Sequence, residues 1–246
     1  MVPIKLIMRV AKNQLPSGQF LTIMRNVEEG WQRPVGTLTP TYLICLFLSL
    51  YRERYESHPI MDRIILRCLD YIESRCYYDP IEGYRVWHFN CFYPPDWEEI
   101  CWCTWMLFEA KRLGRSELEA LYRLIWQNET EENGIGVWIR HDYSQESKYQ
   151  NAFDGFVDLS IQFWLEKIFQ TRSAPTDTFL TRSISEGNLS RYYFDGFAKF
   201  FFSLFSHLDL PSKLPSVNTP LFHQGSRRQV QYFSPDVWRV ARLFVN

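Results

Sequence analysis

The sequence predicts an all-α fold, an array of helical hairpins arranged as an incomplete ring and joined by irregular loops and short strands. Three observations predict it. Apolar residues recur at helical spacing through several long segments. Capping residues and prolines stand where those segments begin. The starts then return at steps of ~40 residues or more, the mark of stacked hairpins whose neighbours jointly bury what one hairpin cannot. The chain of 246 residues reads as one domain over 1–246.

Thr39 and Pro40 open the first helix with a hydroxyl followed by proline in the first turn, and the apolar set Tyr42 to Leu50 carries it toward Tyr55. A second helix spans about Pro59 to Arg75, with Ile60, Ile64, Ile65, Cys68, Leu69 and Ile72 on one face, and pairs with the first. The stretch YYDPIEGYRVWHFNCFYPP is irregular, broken by prolines and a glycine, with short extended pieces. Asp96 caps the next helix, whose face carries Trp97, Ile100, Cys101, Thr104, Trp105 and Phe108, and a partner from Ser116 to Gln127 enters through Gly114. Residues 128–151 read as loop with one short strand at Gly136-Val137-Trp138-Ile139. Asp154 caps a helix to Phe169, a short helix occupies Thr178 to Glu186, and Asp195 caps another to His207. A proline-rich connection from Leu210 to Phe233 precedes a last helix at Pro235 and Asp236.

The spacing of these starts is regular. Phe153-Asp154-Gly155-Phe156 recurs as Phe194-Asp195-Gly196-Phe197, and an equal step of 41 residues reaches Asp236. Backward, 58 residues separate Asp154 from Asp96, and 57 more reach Thr39. The competing reading is a chance match of two four-residue strings.

Composition narrows the function. The chain holds 19 Phe, 14 Tyr and 9 Trp, so many flat side chains that they need a large core or a cavity with aromatic walls. The formal net charge is −1 and the cations are scattered, which excludes the basic stripe a nucleic acid requires. The cysteines at 45, 68, 76, 91, 101 and 103 lie mostly in apolar helical stretches and read as reduced, hence a cytoplasmic protein. The first twenty residues hold no continuous apolar core of a signal peptide, and the longest apolar run falls short of the ~20 residues of a transmembrane helix.

Several local patterns, taken in order, resemble the terpenoid cyclase and protein prenyltransferase toroid superfamily, above all its squalene cyclase-like branch. Tyr93-Pro94-Pro95-Asp96-Trp97-Glu98-Glu99 is similar to the PPDxDDT stretch containing the DxDD acid motif of class II cyclases. Gly136-Val137-Trp138-Ile139 followed by Asn151-Ala152-Phe153-Asp154 resembles a TW turn and the next helix start, and Tyr192-Tyr193 and Tyr232-Phe233-Ser234 stand where such proteins carry YY and YxS. The resemblance covers roughly 80 to 246 and implies a shortened α/α toroid. It departs from the family where DxDD reads DWEE, where Ile100 replaces threonine, and where Asp158 and Ser160 replace asparagines. The DDxxD run and the Asp-x-Cys zinc signature are absent.

The resemblance implies a class II reaction, in which a carboxylic acid protonates an alkene or epoxide and aromatic faces shelter the carbocation. Glu98 is then the acid, with Asp96 and Glu99 as the neighbours that keep it protonated. Trp97, Trp105, Phe153, Phe156, Phe194 and Phe197 form the walls around a small hydrophobic substrate. The competing reading of Asp96 and Glu99 is a capping box. Asp154, Asp195 and Asp236 read first as caps. Cys101 and Cys103 diverge on a helix, the histidines at 58, 88, 141, 207 and 223 show no ligand spacing, and no phosphate loop or GxSxG occurs, so neither metal nor cofactor is expected. Two other functions stay open: a noncatalytic toroid binding a hydrophobic ligand or protein partner, and a carbohydrate-active barrel using Glu98 and Asp158 as paired carboxylates.

Overall fold

The computed structural model describes residues 3–55, 57–79, 83–88, 95–130, 134–139, 153–206, 208–224 and 229–245. The helices among them are α1 (Ile4–Asn13), α2 (Thr39–Arg54), α3 (Pro59–Ser74), α4 (Trp97–Glu109), α5 (Arg115–Asn128), α6 (Gly155–Phe169), α7 (Ala174–Ser185), α8 (Asp195–Phe205) and α9 (Pro235–Ala241). The strands are β1 (Thr22–Asn26), β2 (Gln32–Val35), β3 (Tyr77–Asp79), β4 (Tyr84–Val86), β5 (Glu129–Thr130), β6 (Gly134–Ile135), β7 (Phe222–Gln224) and β8 (Val230–Phe233). Helix makes up 56% and strand 13%, so the fold is helix-rich but mixed α/β, and the all-α expectation is corrected. The strands are two to five residues long, too short to show a period of two, and the larger sheet pairs segments from opposite ends of the sequence.

The chain divides into two compact units, Met1–Ser74 with Tyr192–Asn246, and Arg75–Arg191. In the first, α2 is the core: Tyr42 through Leu48 are all fully buried, so this helix is apolar on every face. Its Phe47 ring meets Phe200 and Phe201 of α8 at 5.7 and 6.0 Å between centroids. The expected hairpin of α2 and α3 forms, and α1 and α9 complete the layer. An antiparallel sheet ordered β2-β1-β8-β7 joins the two ends of the sequence, with Ile23 opposite Phe233. The β1–β2 turn is fixed by Asn26, whose side chain accepts the amides of Glu28 and Glu29 at 3.0 Å each, and by Gly30 at φ +70°.

Two expected caps in this unit are corrected. Ser234, not Asp236, caps α9 by accepting the Val237 amide at 3.4 Å. Asp236 lies in the first turn and binds Asn13 at 3.0 Å and Arg239 at 2.6 Å. Asp195 is the first residue of α8, and Phe194 takes the cap position without a side-chain bond. In the capping position a residue has non-helical dihedrals, and Asp195 has already entered the helix.

In the second unit α4 packs along α6. The Trp164 indole donates to Thr104 Oγ1 at 2.8 Å, and Phe163 meets Trp102 and Trp105, each at 4.9 Å between centroids. The end of α6 is covered from α5, where Arg115 lies 4.4 Å over the Phe169 ring and donates to the Ile168 carbonyl at 2.9 Å. Helix α7 begins earlier than expected because Ser173 caps it, accepting the Thr176 amide at 3.1 Å. The side chain of Gln162 anchors that cap, donating to the Ser173 carbonyl at 2.6 Å and accepting its amide at 3.1 Å. The expected strand over 136–139 is reduced to a bridge: Trp138 pairs with Asp96, Val137 accepts the Trp97 amide at 3.0 Å, and Ile139 donates to the Pro95 carbonyl at 3.1 Å. No helix among the described residues is long and apolar enough to cross a membrane.

Candidate functional site

The carboxylates singled out in the sequence meet at the first turn of α4. Asp96 is extended, with φ −118° and ψ 154°, and accepts the Glu99 amide at 3.0 Å, so the capping half of the box is made. All three acids are buried, with Asp96 7%, Glu98 9% and Glu99 2% exposed. First-turn carboxylates that act only on the helix dipole usually remain in water, because removing a charge from solvent costs several kcal/mol. The bridge from Asp96 to Trp138 holds this turn against the 137–139 segment.

The electrostatics follow from that burial. Burial pushes the Asp96 carboxyl above the usual carboxylate range, and hydrogen bonds from the Glu99 side chain and amide and the charge of His88 oppose the shift. Burial likewise pushes the Cys101 thiol well up, and the charges of Asp96 and Glu98 add to it, placing Cys101 within their field. The Trp97 indole N–H is buried and meets no acceptor among the described residues.

The residues expected to wall a cavity are distributed otherwise. Trp97 and Phe156 are fully buried and Trp105 is 2% exposed, with Trp105 edge-on to Phe163, so these three lie in the core of the second unit. Phe153 is half-buried beside Phe179 at 6.2 Å between centroids. Phe194 and Phe197 belong to the first unit, where Phe197 stacks on Tyr193 at 5.4 Å and Phe194 stands edge-on to His223 at 5.7 Å. Helical periodicity marks such residues as inward-facing, and inward-facing is equally true of core and of cavity wall.

Asp158, the second carboxylate of the carbohydrate reading, is fully buried. Burial pushes it well above the usual range, and its Oδ1 accepts the Ile135 amide at 3.5 Å. Asp154 caps α6 as expected, accepting the Phe156 amide at 2.9 Å. Tyr93, Pro94, Cys91, His141, Asn151, Ala152 and His207 lie outside the described residues. Among those described, no three His, Cys, Asp or Glu side chains gather as a metal site.

Sequence reading missed the polar groups that gather around the start of α6, namely Arg182, Asn188, Ser190 and Arg191. The signal available for them was the turn string Ser185-Glu186-Gly187-Asn188, flanked by two arginines and ending just before the second FDGF element. No family model matches the chain, and no curated protein matches it in sequence.

Proposed function

We propose that the chain is an acid catalyst acting on an apolar, unsaturated substrate of the isoprenoid class, starting a cyclisation or isomerisation by protonation, as the resemblance to class II terpenoid cyclases implies. The observation that carries this reading is the burial of Glu98. A capping box needs Asp96 and Glu99 and leaves Glu98 in solvent, yet Glu98 is only 9% exposed, beside two further buried carboxyl groups. In this reading the Glu98 carboxyl gives its proton to a substrate carbon, the resulting cation loses a proton from a neighbouring carbon, and that proton restores the acid. Asp96 holds the turn in place, and Asp96 and Glu99 are the carboxylate neighbours that keep Glu98 protonated.

The test is incubation of the purified chain with linear isoprenoids and their diphosphates, with products read by mass spectrometry. Glu98→Gln should abolish turnover with little change in melting temperature, since the proton is lost and the shape kept. Turnover retained in Glu98→Gln removes the mechanism.

A noncatalytic module binding a hydrophobic ligand or a protein partner is the second reading, and one observation favours it. Trp97, Trp105, Phe156 and Phe197 are all buried to 2% or less, as core packing requires. No product from wild-type protein across the panel selects this reading.

A further inference from the structure

We propose that a pocket at the start of α6 binds a small organic oxyanion, a carboxylate or a phosphate ester, between the guanidinium groups of Arg182 and Arg191. The pocket has a volume of about 490 Å³, within the usual range for small-molecule sites. None of the α4 carboxylates lines it, and it does not depend on the function proposed for them.

Three features of the chain build it. Asp154 fixes one side: its Oδ2 accepts the Ser190 hydroxyl at 2.9 Å and the Arg191 amide at 2.6 Å, which pins the 188–191 loop to the helix start. Gly155 lets that loop come close, because a Cβ there would stand 2.7 Å from the Leu189 carbonyl oxygen. On the α7 side, Arg182 lies 5.1 Å over the Phe179 ring, which holds its planar head.

Charge then selects the ligand. The lining sets two guanidinium groups against two carboxylates, Asp154 and Glu186, and Asp154, pushed up to about 6 by burial, loses its charge as the pH falls, which leaves the arginines in excess. Arginine presents paired donors in a plane that matches the oxygens of carboxylate and phosphate groups. The Asn188 amide adds a donor, and the rings of Phe153 and Phe179 add an apolar wall for the body of the ligand.

The experiment is titration calorimetry of the full chain with two probes, sulfate and benzoate, at pH 7.5 and 5.5. Saturable binding of either below about 10 mM is expected, with a stronger sulfate signal pointing to phosphate esters and a stronger benzoate signal to aromatic carboxylates. Arg182→Gln and Arg191→Gln should each weaken that binding about tenfold or more, and Arg191→Lys should weaken it less. Both arginines are exposed, so unchanged melting temperatures are expected and serve as the folding control. Sulfate binding should also tighten at pH 5.5. Asp154 faces Arg191 and Ser190 from the loop, Asp158 from its own helix, and a pocket lined by Arg182 and Glu186 from the α7 end, and its negative charge is lost there at the lower pH. Absence of saturable binding for both probes, or equal binding in both glutamine variants and the wild type, overturns the proposal.

Discussion

Asp154 Oδ2 accepts the Arg191 amide at 2.6 Å while Oδ1 accepts the Phe156 amide at 2.9 Å, so one carboxylate holds both a helix start and a loop 37 residues downstream. Burial pushes this group up to about 6, against the pull of those amides, the Ser190 hydroxyl and the Arg191 charge.

Stability should therefore fall with rising pH at this residue. The folded chain holds a proton between about pH 4 and pH 6 that the unfolded chain releases. The associated stability, about 3 kcal/mol for a shift of roughly two units, is fully present below about pH 4 and lost as the pH rises through about 6. Asp154→Asn removes that titration. Urea unfolding at pH 4.5 and 7.5 should show the advantage of wild type over the variant shrinking at the higher pH; an advantage independent of pH would mean that Asp154 titrates as an ordinary carboxylate.

At the start of α4, Asp96→Ala should cost about 0.5 to 2 kcal/mol, because the Glu99 amide loses its cap. Asp96→Asn should cost much less, since an amide oxygen can still accept from that amide. Thermal melts decide between roles: equal losses in the two variants would assign the position to charge and not to capping.

The seam between α4 and α6 has a polar tie. Thr104→Val leaves the Trp164 indole N–H without its acceptor in a buried environment and should cost about 1 to 3 kcal/mol. Thr104→Ser keeps the oxygen and its bond to the Ile100 carbonyl and should cost clearly less. Denaturant midpoints of the pair check this, and equal midpoints would show that the methyl group, not the hydroxyl, matters.

Gly155→Ala should cost about 1 to 3 kcal/mol by pushing the Leu189 carbonyl away from the helix start. The same displacement should loosen the Arg191 amide from Asp154. Hydrogen exchange at that amide should therefore accelerate in the variant, and unchanged protection would show that the loop is held by other contacts.

The helices were legible because their signals are local. The 3.6-residue period of α3, the proline in the first turn of α2 and the carboxylate before α4 each act within one or two turns, so a single segment carries enough information to place them. Capping showed both the reach and the limit of such signals. Asp154 caps its helix, whereas the same Asp-Gly-Phe string at Asp195 begins the helix itself, with the Phe194 amide donating to the carbonyl of Leu221, the residue before β7, at 2.9 Å. The α4 acids were identifiable as a cluster, but their burial was not, since it depends on segments such as 137–139 brought from elsewhere in the chain.

By itself the sequence determined where the main helices form, which of their faces turn inward, and that three carboxylates stand together at one helix start. Only the tertiary structure decided that residues 22–26 pair with 230–233 in a sheet, that Trp97, Trp105 and Phe156 pack as core, and that Arg182 and Arg191 share a pocket. The physical reason is reach. Helical hydrogen bonds and caps close within four residues, whereas strand pairing, burial and pocket formation depend on partners far along the chain, and no periodicity within a segment encodes which partner arrives.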